Sequence, residues 1–487
     1  MKTKRGNGIR RLIALAGALL LAAGIAVPRG ASCDGQALKV SLPETVKGYT
    51  PCTIKIKSPC AGEAVLRLLD ANDNQWLVMH TAVAAGENKV SWDGLGANLE
   101  RMFAGPYHFD VTVTGEDGTE WTATAKFNIN ATTPTLVYAL PSSETLYLDG
   151  GEKWFVEYYV SYECIVDMEV RNGNRTVWTG SKTVSNEDGE TFIWNGTVRR
   201  GEKIAPGDYT VTFRGRRNPD YSFTYPLHVE ETTPAAAIAE TGPVVPERGM
   251  TDEQIWEIMM KPSVVIRTNG VMKRYDIYER PSTAAKVTGS LRGGTQALEV
   301  LEAGERWTLV RAWTHTNGTP CTGYIRTDQL QVVRPSTHYG LLIDKRDQTL
   351  TVYEDGKAIG TLPVSTGKTA PGNTYRETPA GAFLTNVRDL GASFAQEGFR
   401  YEYPIRYDAG NMIHGVGYTR SGRVRDYSAN LPLLGQKASH GCIRVSSFVT
   451  EDCDINIYWL WTRLPYHTRV IILDDADGTE VIDDEDQ

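Results

Sequence analysis

The sequence predicts a mainly β, multidomain protein. The chain has 487 residues, which at roughly 100–200 residues per domain corresponds to about three to five domains. Apolar and polar residues alternate in short runs such as YHFDVTVTG and YTVTFRG, the period of a β-strand with one buried face. Two long segments also resemble each other at a spacing of about 100 residues, which indicates a tandem duplication of one domain.

The duplicated segments share a tryptophan turn and a tyrosine near the start of a strand. Trp92-Asp93-Gly94 matches Trp194-Asn195-Gly196, and we interpret both tryptophans as core residues. Many short strands separated by turn residues are typical of β-sandwiches. The pattern resembles the immunoglobulin-like modules of some bacterial extracellular and flagellar hook-capping proteins. The resemblance places Ig-like β-sandwiches at residues 34–131 and 135–231.

Two further segments precede the last part of the chain. Residues 232–262 form a linker rich in Pro and Ala, which ends in a short helix with a predicted capping box from Thr251 to Gln254. Residues 263–335 resemble a bacterial SH3-like barrel, with a Pro-containing loop, a Gly-Gly pair and a turn at Trp307. Such modules often accompany cell-wall enzymes. Binding of wall peptides and a plain spacer role both stay open.

The two ends of the chain differ in charge. Basic residues precede an apolar run from Leu12 to Val27, so residues 1–32 are predicted to be a signal peptide or an N-terminal anchor. Lipidation at Cys33 is a weaker alternative. We therefore expect a location outside the cytoplasm, secreted or membrane-anchored, with membrane contact only through this segment. Residues 475–487 are predicted to be a disordered acidic tail.

Charge and cysteine content narrow the possible partners. The formal net charge of −8 argues against nucleic acid as the main partner, because phosphate binding needs a basic face. The seven cysteines are odd in number, so at least one is unpaired within the chain. A disulfide between Cys52 and Cys60 is one option outside the cytoplasm.

The string KASHGCIRVSS contains the strongest chemical signal. Cys442 follows His440-Gly441, Arg444 comes two residues later, and His414 lies in a separate strand, NMIHG. A cysteine attacks as the thiolate and needs a base or a positive group nearby. If the segment is extended, His440 and Cys442 share a face. Glycines beside a nucleophile also let backbone N–H groups approach an oxyanion.

Other roles for Cys442 are weaker. A structural thiol or a disulfide partner needs no neighbouring histidines. A zinc site formed by His414, His440 and Cys442 lacks an obvious fourth ligand. Cys453 is near in sequence, but EDCDINIYWLW is predicted to be a helix in which Cys453 is packed or free.

Together, SHGCIRV, IHG and TPAGAF resemble the L,D-transpeptidase catalytic domain, also called the YkuD-type domain, over residues 338–474. The resemblance implies a β-rich fold and peptidoglycan stem peptides as substrates. It implies that Cys442 is the nucleophile and His414 the general base and acid. His440 and Ser439 would shape the site, Gly441 and the Cys442 N–H would form an oxyanion hole, and Arg444 would steer a carboxylate or brace the loop.

The resemblance also implies a reaction. The cysteine attacks the bond between a diamino acid and D-alanine in a stem tetrapeptide, and an amine of a second stem resolves the thioester into a 3→3 cross-link. No metal or organic cofactor is implied, and carbapenem-type β-lactams are expected inhibitors. Two alternatives remain. Water instead of an amine would make the protein an L,D-carboxypeptidase, and a silent domain would make it a non-catalytic wall-binding protein.

One segment departs from the family pattern. Residues 415–438, between His414 and Ser439, are longer than the family usually shows and contain Arg420, Arg423 and Arg425. A lid or a contact for an acidic stem peptide is one interpretation. We favour a solvated loop.

Overall fold

The computed structural model describes residues 37–475, apart from 49, 101, 131–135, 162, 185–189, 217, 235, 269, 271, 315–319, 369–376, 389–390 and 423. The fold is mainly β and multidomain, as the sequence predicts. The N-terminal apolar run, Cys33 and nearly all of the acidic tail lie outside the described residues. Within them, no helix has the length and apolar character needed to cross a membrane.

The first two-sheet unit encloses one apolar core. A five-stranded sheet has the order β2-β8-β7-β4-β5 and a three-stranded sheet the order β1-β3-β6. Trp92 connects them, because its ring contacts Phe109 and Phe127 at centroid distances of 5.3 and 5.6 Å. The strands are β1 Lys39–Ser41, β2 Thr45–Lys47, β3 Cys52–Ser58, β4 Gly62–Asp70, β5 Gln75–Val83, β6 Gly86–Trp92, β7 Gly105–Gly115 and β8 Glu120–Asn130.

The second unit repeats this arrangement eight strands later. Its five-stranded sheet has the order β10-β16-β15-β12-β13, and its three-stranded sheet has the order β14-β11-β9. Trp92 and Trp194 are both buried, and each indole N–H donates to a backbone carbonyl three residues on. The strands are β9 Leu136–Pro141, β10 Thr145–Tyr147, β11 Phe155–Val160, β12 Cys164–Asn172, β13 Arg175–Val184, β14 Glu190–Ile193, β15 Gly207–Gly215 and β16 Asn218–Glu230.

A helix and a small sheet connect these units to the C-terminal region. Helix α1, Asp252–Met260, has the predicted capping box between Thr251 and Gln254. A five-stranded sheet follows, in the order β19-β18-β23-β22-β21, and β17 pairs with β24. The strands are β17 Ser263–Ile266, β18 Arg274–Tyr278, β19 Val287–Arg292, β20 Gln296–Ala297, β21 Glu299–Glu302, β22 Trp307–Trp313, β23 Pro320–Arg326 and β24 Leu330–Val333.

The C-terminal region is built on a nine-stranded sheet in the order β20-β28-β36-β25-β26-β27-β35-β32-β31. Strand β20 comes from the preceding unit, so residues 263–335 contribute an edge to this sheet. A hairpin turn at Glu354-Asp355-Gly356 joins β26 to β27, with positive φ at its last two residues.

The elements of this region follow in chain order. Its strands are β25 Tyr339–Asp344, β26 Thr349–Glu354, β27 Lys357–Ser365, β28 Gly381–Leu384, β29 Ser393–Gln396, β30 Phe399–Glu402, β31 Ile405–Asp408, β32 Asn411–Gly415, β33 Thr419–Ser421, β34 Val424–Asp426, β35 Ile443–Val445 and β36 Arg469–Leu473, and helix α2 is Ile457–Arg463.

Two sequence expectations need correction. The helix predicted from EDCDINIYWLW begins only at Ile457, because Asn456 caps it by accepting a hydrogen bond from the Trp459 N–H. Cys453 therefore precedes the helix. Cys52 is a free, buried thiol, so the disulfide considered between Cys52 and Cys60 is not formed.

Candidate active site

Two parallel strands bring the cysteine and the histidine together. Strand β32 pairs with β35 so that Ile413 lies opposite Ile443 and His414 opposite Arg444. Side chains alternate between the faces of a sheet, so His414 and Arg444 lie on one face. Cys442 directly precedes Ile443, the first residue of β35. Its sulfur accepts a hydrogen bond from the backbone N–H of Met412.

The segment before β35 is a bend and not a strand, which corrects the sequence argument for His440. Gly441 has φ = +113°, so the alternation rule does not relate His440 to Cys442. The His440 side chain is instead exposed, with Nδ1 3.6 Å from Oε2 of Glu397. The position of the bend depends on Ser439.

Ser439 stabilises the bend through two hydrogen bonds of its side chain. Its buried hydroxyl donates to the Cys442 carbonyl at 2.5 Å and accepts from the Gly441 N–H at 3.2 Å. A Cβ at Gly441 would lie 2.6 Å from Oδ1 of Asn411. Position 441 therefore requires glycine, both for its positive φ and for space.

His414 is buried and has one defined backbone partner. Its Nδ1 lies 2.8 Å from the carbonyl oxygen of Gly415. Because a carbonyl only accepts, Nδ1 carries the proton in the neutral ring and Nε2 keeps a free lone pair. Burial lowers the pKa of His414 to about 4, with Arg444 adding to the shift and the Gly415 bond opposing it. The imidazole is therefore neutral at pH 7 and can accept a proton at Nε2.

Two aromatic side chains pack against the His414 ring and fix its orientation. Tyr401 and Phe394 meet it edge-on, at centroid distances of 4.8 and 5.4 Å, and stack on each other. Both come from the hairpin β29–β30. A base held by packing and by one hydrogen bond has little rotational freedom, which favours proton transfer in a fixed direction.

Opposing influences act on the Cys442 thiol. Burial raises its pKa, while the Met412 N–H and the positive charges of Arg444 and Arg406 act in the lowering direction. The net direction is upward, so the resting cysteine is a thiol. It needs a neighbouring base to become a nucleophile.

Arg444 points into the protein. It is buried, its Nη1 donates to Oδ1 of Asn430 at 3.2 Å, and its guanidinium lies over the Tyr401 ring at 5.7 Å. Of the two roles considered from the sequence, bracing the loop fits these contacts better than steering a substrate from solvent.

Residues 415–438 are not simply the solvated loop favoured from the sequence. They contain the hairpin β33–β34, and Arg425 in it is buried and forms a 2.5 Å ion pair with Glu402. The Arg425 guanidinium also lies 3.3 Å from the ring centroid of Phe103, in the first two-sheet unit. The segment is therefore an interface between two parts of the chain. Arg423 lies outside the described residues.

Carboxylates gather at one further place near the site. In the part of the chain that the structure describes, Glu377, Asp474 and Asp475 are the group whose oxygens lie close enough to share a cation. The Lys345 Nζ already lies among them, 2.6 Å from Glu377 and 2.9 Å from Asp474. Lys437 also pairs with Asp475. The cluster is therefore an ion-pair network of partly exposed carboxylates around the buried Lys345 ammonium.

Several residues of the site escaped sequence reasoning. Asn430, Tyr401 and Glu402 act through contacts that only the folded chain creates. Thr378 could have been noticed from the sequence, because it is the first residue of the TPAGAF string. The string does not indicate what Thr378 does. Its hydroxyl donates to the Gly441 carbonyl at 2.9 Å.

The comparisons with known proteins concern the C-terminal region. Residues 338–472 match the family model YkuD, the L,D-transpeptidase catalytic domain. A putative L,D-transpeptidase of Bacillus subtilis (strain 168), YciB, is 28% identical over 139 residues, which are 28% of this chain and 66% of that protein. The match therefore spans slightly less than two thirds of that relative.

Solved structures of L,D-transpeptidases also match part of this chain. A crystal structure of an L,D-transpeptidase from Xylanimonas cellulosilytica is 27% identical and covers 29% of this chain and 63% of its own, with a TM-score of 0.20. The L,D-transpeptidase LdtMt1 in complex with imipenem is 15% identical and covers 55% and 92%, with a TM-score of 0.22. On the family match and the relative, residues 338–472 of this chain are a YkuD-type L,D-transpeptidase catalytic domain.

Proposed function

We propose that this protein is a peptidoglycan L,D-transpeptidase with Cys442 as its nucleophile and His414 as its general base and acid. The observation that carries the proposal is the parallel pairing of β32 with β35. This pairing supports the proposal because His414, held through Nδ1 by the Gly415 carbonyl, lies in β32, and Cys442 directly precedes the adjacent strand β35.

The first half-reaction forms a thioester. His414 Nε2 takes the proton of the Cys442 thiol as the sulfur attacks the carbonyl carbon between the diamino acid and D-alanine of a stem tetrapeptide. The carbonyl oxygen becomes an oxyanion. When the C–N bond breaks, His414 returns the proton to the leaving amine, and D-alanine departs.

The second half-reaction restores the enzyme. An amine of a neighbouring stem attacks the thioester carbonyl and gives a proton to His414. The C–S bond breaks, and the sulfur takes that proton back. The new amide is a 3→3 cross-link, and no redox partner is needed. The Cys442 N–H is the proposed oxyanion donor, because the Gly441 N–H already donates to the Ser439 hydroxyl. Ser439 and His440 shape the bend, and Arg444 braces it through Asn430.

The rest of the chain suits work at the cell wall. We propose that residues 34–131 and 135–231 are Ig-like domains, that 263–335 is an SH3-like domain, and that the N-terminal segment directs or anchors the protein outside the cytoplasm. Carbapenem-type β-lactams are expected to acylate Cys442, because an activated thiol attacks their strained carbonyl as it attacks a peptide.

The test uses the full chain, purified and reduced. It is incubated with a disaccharide-tetrapeptide carrying either common diamino acid, and the products are followed by mass spectrometry beside a Cys442→Ala control. We expect a cross-linked dimer and released D-alanine from the wild type only.

Other outcomes separate the alternatives. Tripeptide without dimer would assign an L,D-carboxypeptidase, because water then resolves the thioester. No Cys442-dependent change with either substrate would contradict the enzyme and leave wall binding by residues 34–335 as the function.

A further inference from the structure

In the proposed reaction, the Gly441–Cys442 peptide bond supplies the N–H that stabilises the oxyanion. Its carbonyl oxygen faces the interior, where it accepts from Oγ1 of Thr378 at 2.9 Å and from the Tyr407 hydroxyl at 3.4 Å. Both side chains are fully buried. In a trans peptide the C=O and the N–H point in opposite directions. Two buried donors on the carbonyl therefore direct the Cys442 N–H away from the interior.

Thr378 is itself fixed. Its hydroxyl accepts from the backbone N–H of Gly367 at 2.8 Å, which leaves its own proton for the Gly441 carbonyl. Gly367 forms a β-bridge with Ser439, the residue that holds the other side of the bend. A closed ring of hydrogen bonds thus surrounds the peptide that precedes the nucleophile.

We infer that Thr378, assisted by Tyr407, is a positioning residue that sets the orientation of the Gly441–Cys442 peptide and so aims the Cys442 N–H at the oxyanion. This inference rests on the proposed function, because it concerns the same acyl transfer. Without the Thr378 donor, the peptide has only the longer Tyr407 bond to oppose rotation. A glycine on one side of that peptide makes such rotation easy.

The test compares two reactions of the same sulfur. Acylation by imipenem creates an oxyanion, whereas alkylation by iodoacetamide displaces iodide and creates none. Both reactions are run on the full chain, and both rates are measured by mass spectrometry of the digested protein, on the peptide that contains Cys442. A defect confined to acylation identifies oxyanion orientation, whereas a general distortion of the site slows both reactions.

Thr378→Val removes the hydroxyl and keeps the shape. We expect its acylation rate to fall at least about tenfold, towards the loss seen when an oxyanion-hole donor is deleted, with alkylation changed less than about twofold. Thr378→Ser keeps the donor and should acylate within about threefold of wild type. Tyr407→Phe should show a smaller loss in acylation alone, and it gives a second test if Thr378→Val does not fold.

The chain offers a matched control. Thr385 is equally buried, donates to the Pro465 carbonyl at 2.9 Å and accepts from the Thr468 N–H at 2.9 Å. Thr385→Val therefore loses the same bonds elsewhere, and both rates should stay at wild-type values.

The inference would be overturned if Thr378→Val acylated at the wild-type rate or lost both reactions equally. Its failure is distinguishable from failure of the proposed function. Wild-type chain that acylates in a Thr378-dependent way but makes nothing from tetrapeptide would contradict only the function. Turnover of tetrapeptide with no effect of Thr378→Val would contradict only the inference.

Discussion

The two N-terminal units contact the C-terminal region in different ways. The first interface joins Asn72, Asn98 and Phe103 to Arg425 and the stretch 448–456. The Asn72 side-chain amide donates a hydrogen bond to the Arg425 carbonyl, Asn98 donates to the Asp454 carbonyl, and Arg425 makes a cation–π contact with Phe103. The second interface joins Tyr138, Glu157 and Tyr159 to Arg388 and helix α2, where Trp461 lies among aromatic rings.

The difference lies in what each interface reaches. Arg425 of the first interface pairs with Glu402, and Glu402 follows Tyr401, whose ring packs on His414. The second interface packs around Trp461 in the apolar core of the C-terminal region. Burial of an interface thus does not by itself decide whether that interface affects catalysis. The first interface is expected to affect catalysis, and the second to affect stability.

The largest expected effect comes from breaking the second interface. Glu157 and Arg388 form an ion pair of 3.1 Å, with 4% and 1% of their side-chain surfaces exposed. Glu157→Ala leaves a buried, unpaired charge, which should lower the free energy of unfolding by about 3–5 kcal/mol. Denaturant unfolding measures this loss. The imipenem acylation rate of the folded protein should not change, and a large fall in that rate would break the comparison.

Acid should destabilise the C-terminal region through two buried histidines, His414 and His467. Burial lowers the pKa of His414 to about 4 and that of His467 to about 3, against about 6.5 in the unfolded chain. The unfolded state therefore binds more protons below pH 6.5. The neutral rings make their full contribution to the free energy of unfolding above pH 6.5. This contribution is lost as the pH falls towards 4, and the loss for His414 is about 3 kcal/mol.

Unfolding curves between pH 7 and 4 measure this loss, and one variant separates the two rings. His467 has φ = +61°, a conformation that asparagine tolerates, so His467→Asn should keep more stability below pH 6.5. The acylation rate, which depends on His414, should show no acid limb between pH 6 and 8. A limb near pH 6.5 would contradict a buried, neutral His414.

Phe103→Ala tests the first interface at a distance from the site. Loss of the cation–π contact with Arg425 should cost about 1–2 kcal/mol of stability. It should also slow acylation roughly two- to thirtyfold, the range of energetic coupling through packed networks. Phe155→Ala is the matched control, because Phe155 packs edge-on against Tyr466 at the second interface. Equal acylation rates in the two variants would remove the distinction between the interfaces.

The smallest expected effect lies in the first interface itself. Arg67 pairs with Glu451 while 29% and 52% of their side-chain surfaces stay exposed. Glu451→Gln should therefore change stability by less than about 1 kcal/mol and leave acylation unchanged. A loss of stability as large as that of Phe103→Ala would show that exposed ion pairs, and not the contacts of Arg425 with Phe103 and Glu402, stabilise the first interface.

The features that the sequence predicted correctly were local. Alternation within β7 and β15, the Trp92 and Trp194 turns and the Thr251 cap are encoded within a few neighbouring residues. SHGCIRV and IHG likewise identified the two strands that the fold brings together.

The features that sequence reasoning missed depend on distant partners. Arg425 resembles a residue of a solvated loop until Phe103 and Glu402 surround it. Thr378 bonds a carbonyl 63 residues away. The bend at Gly441 replaced the expected strand because Ser439 and Thr378 hold both of its sides, and spacing along the chain does not contain that information.

Trapping the acyl-enzyme would test the central claim most directly. The full chain is mixed with disaccharide-tetrapeptide, quenched in acid within seconds, digested and analysed by mass spectrometry. The account predicts a disaccharide-tripeptide thioester on the peptide that contains Cys442, absent from Cys442→Ala. An adduct on another cysteine, or release of D-alanine without any thioester and independently of Cys442, would contradict it.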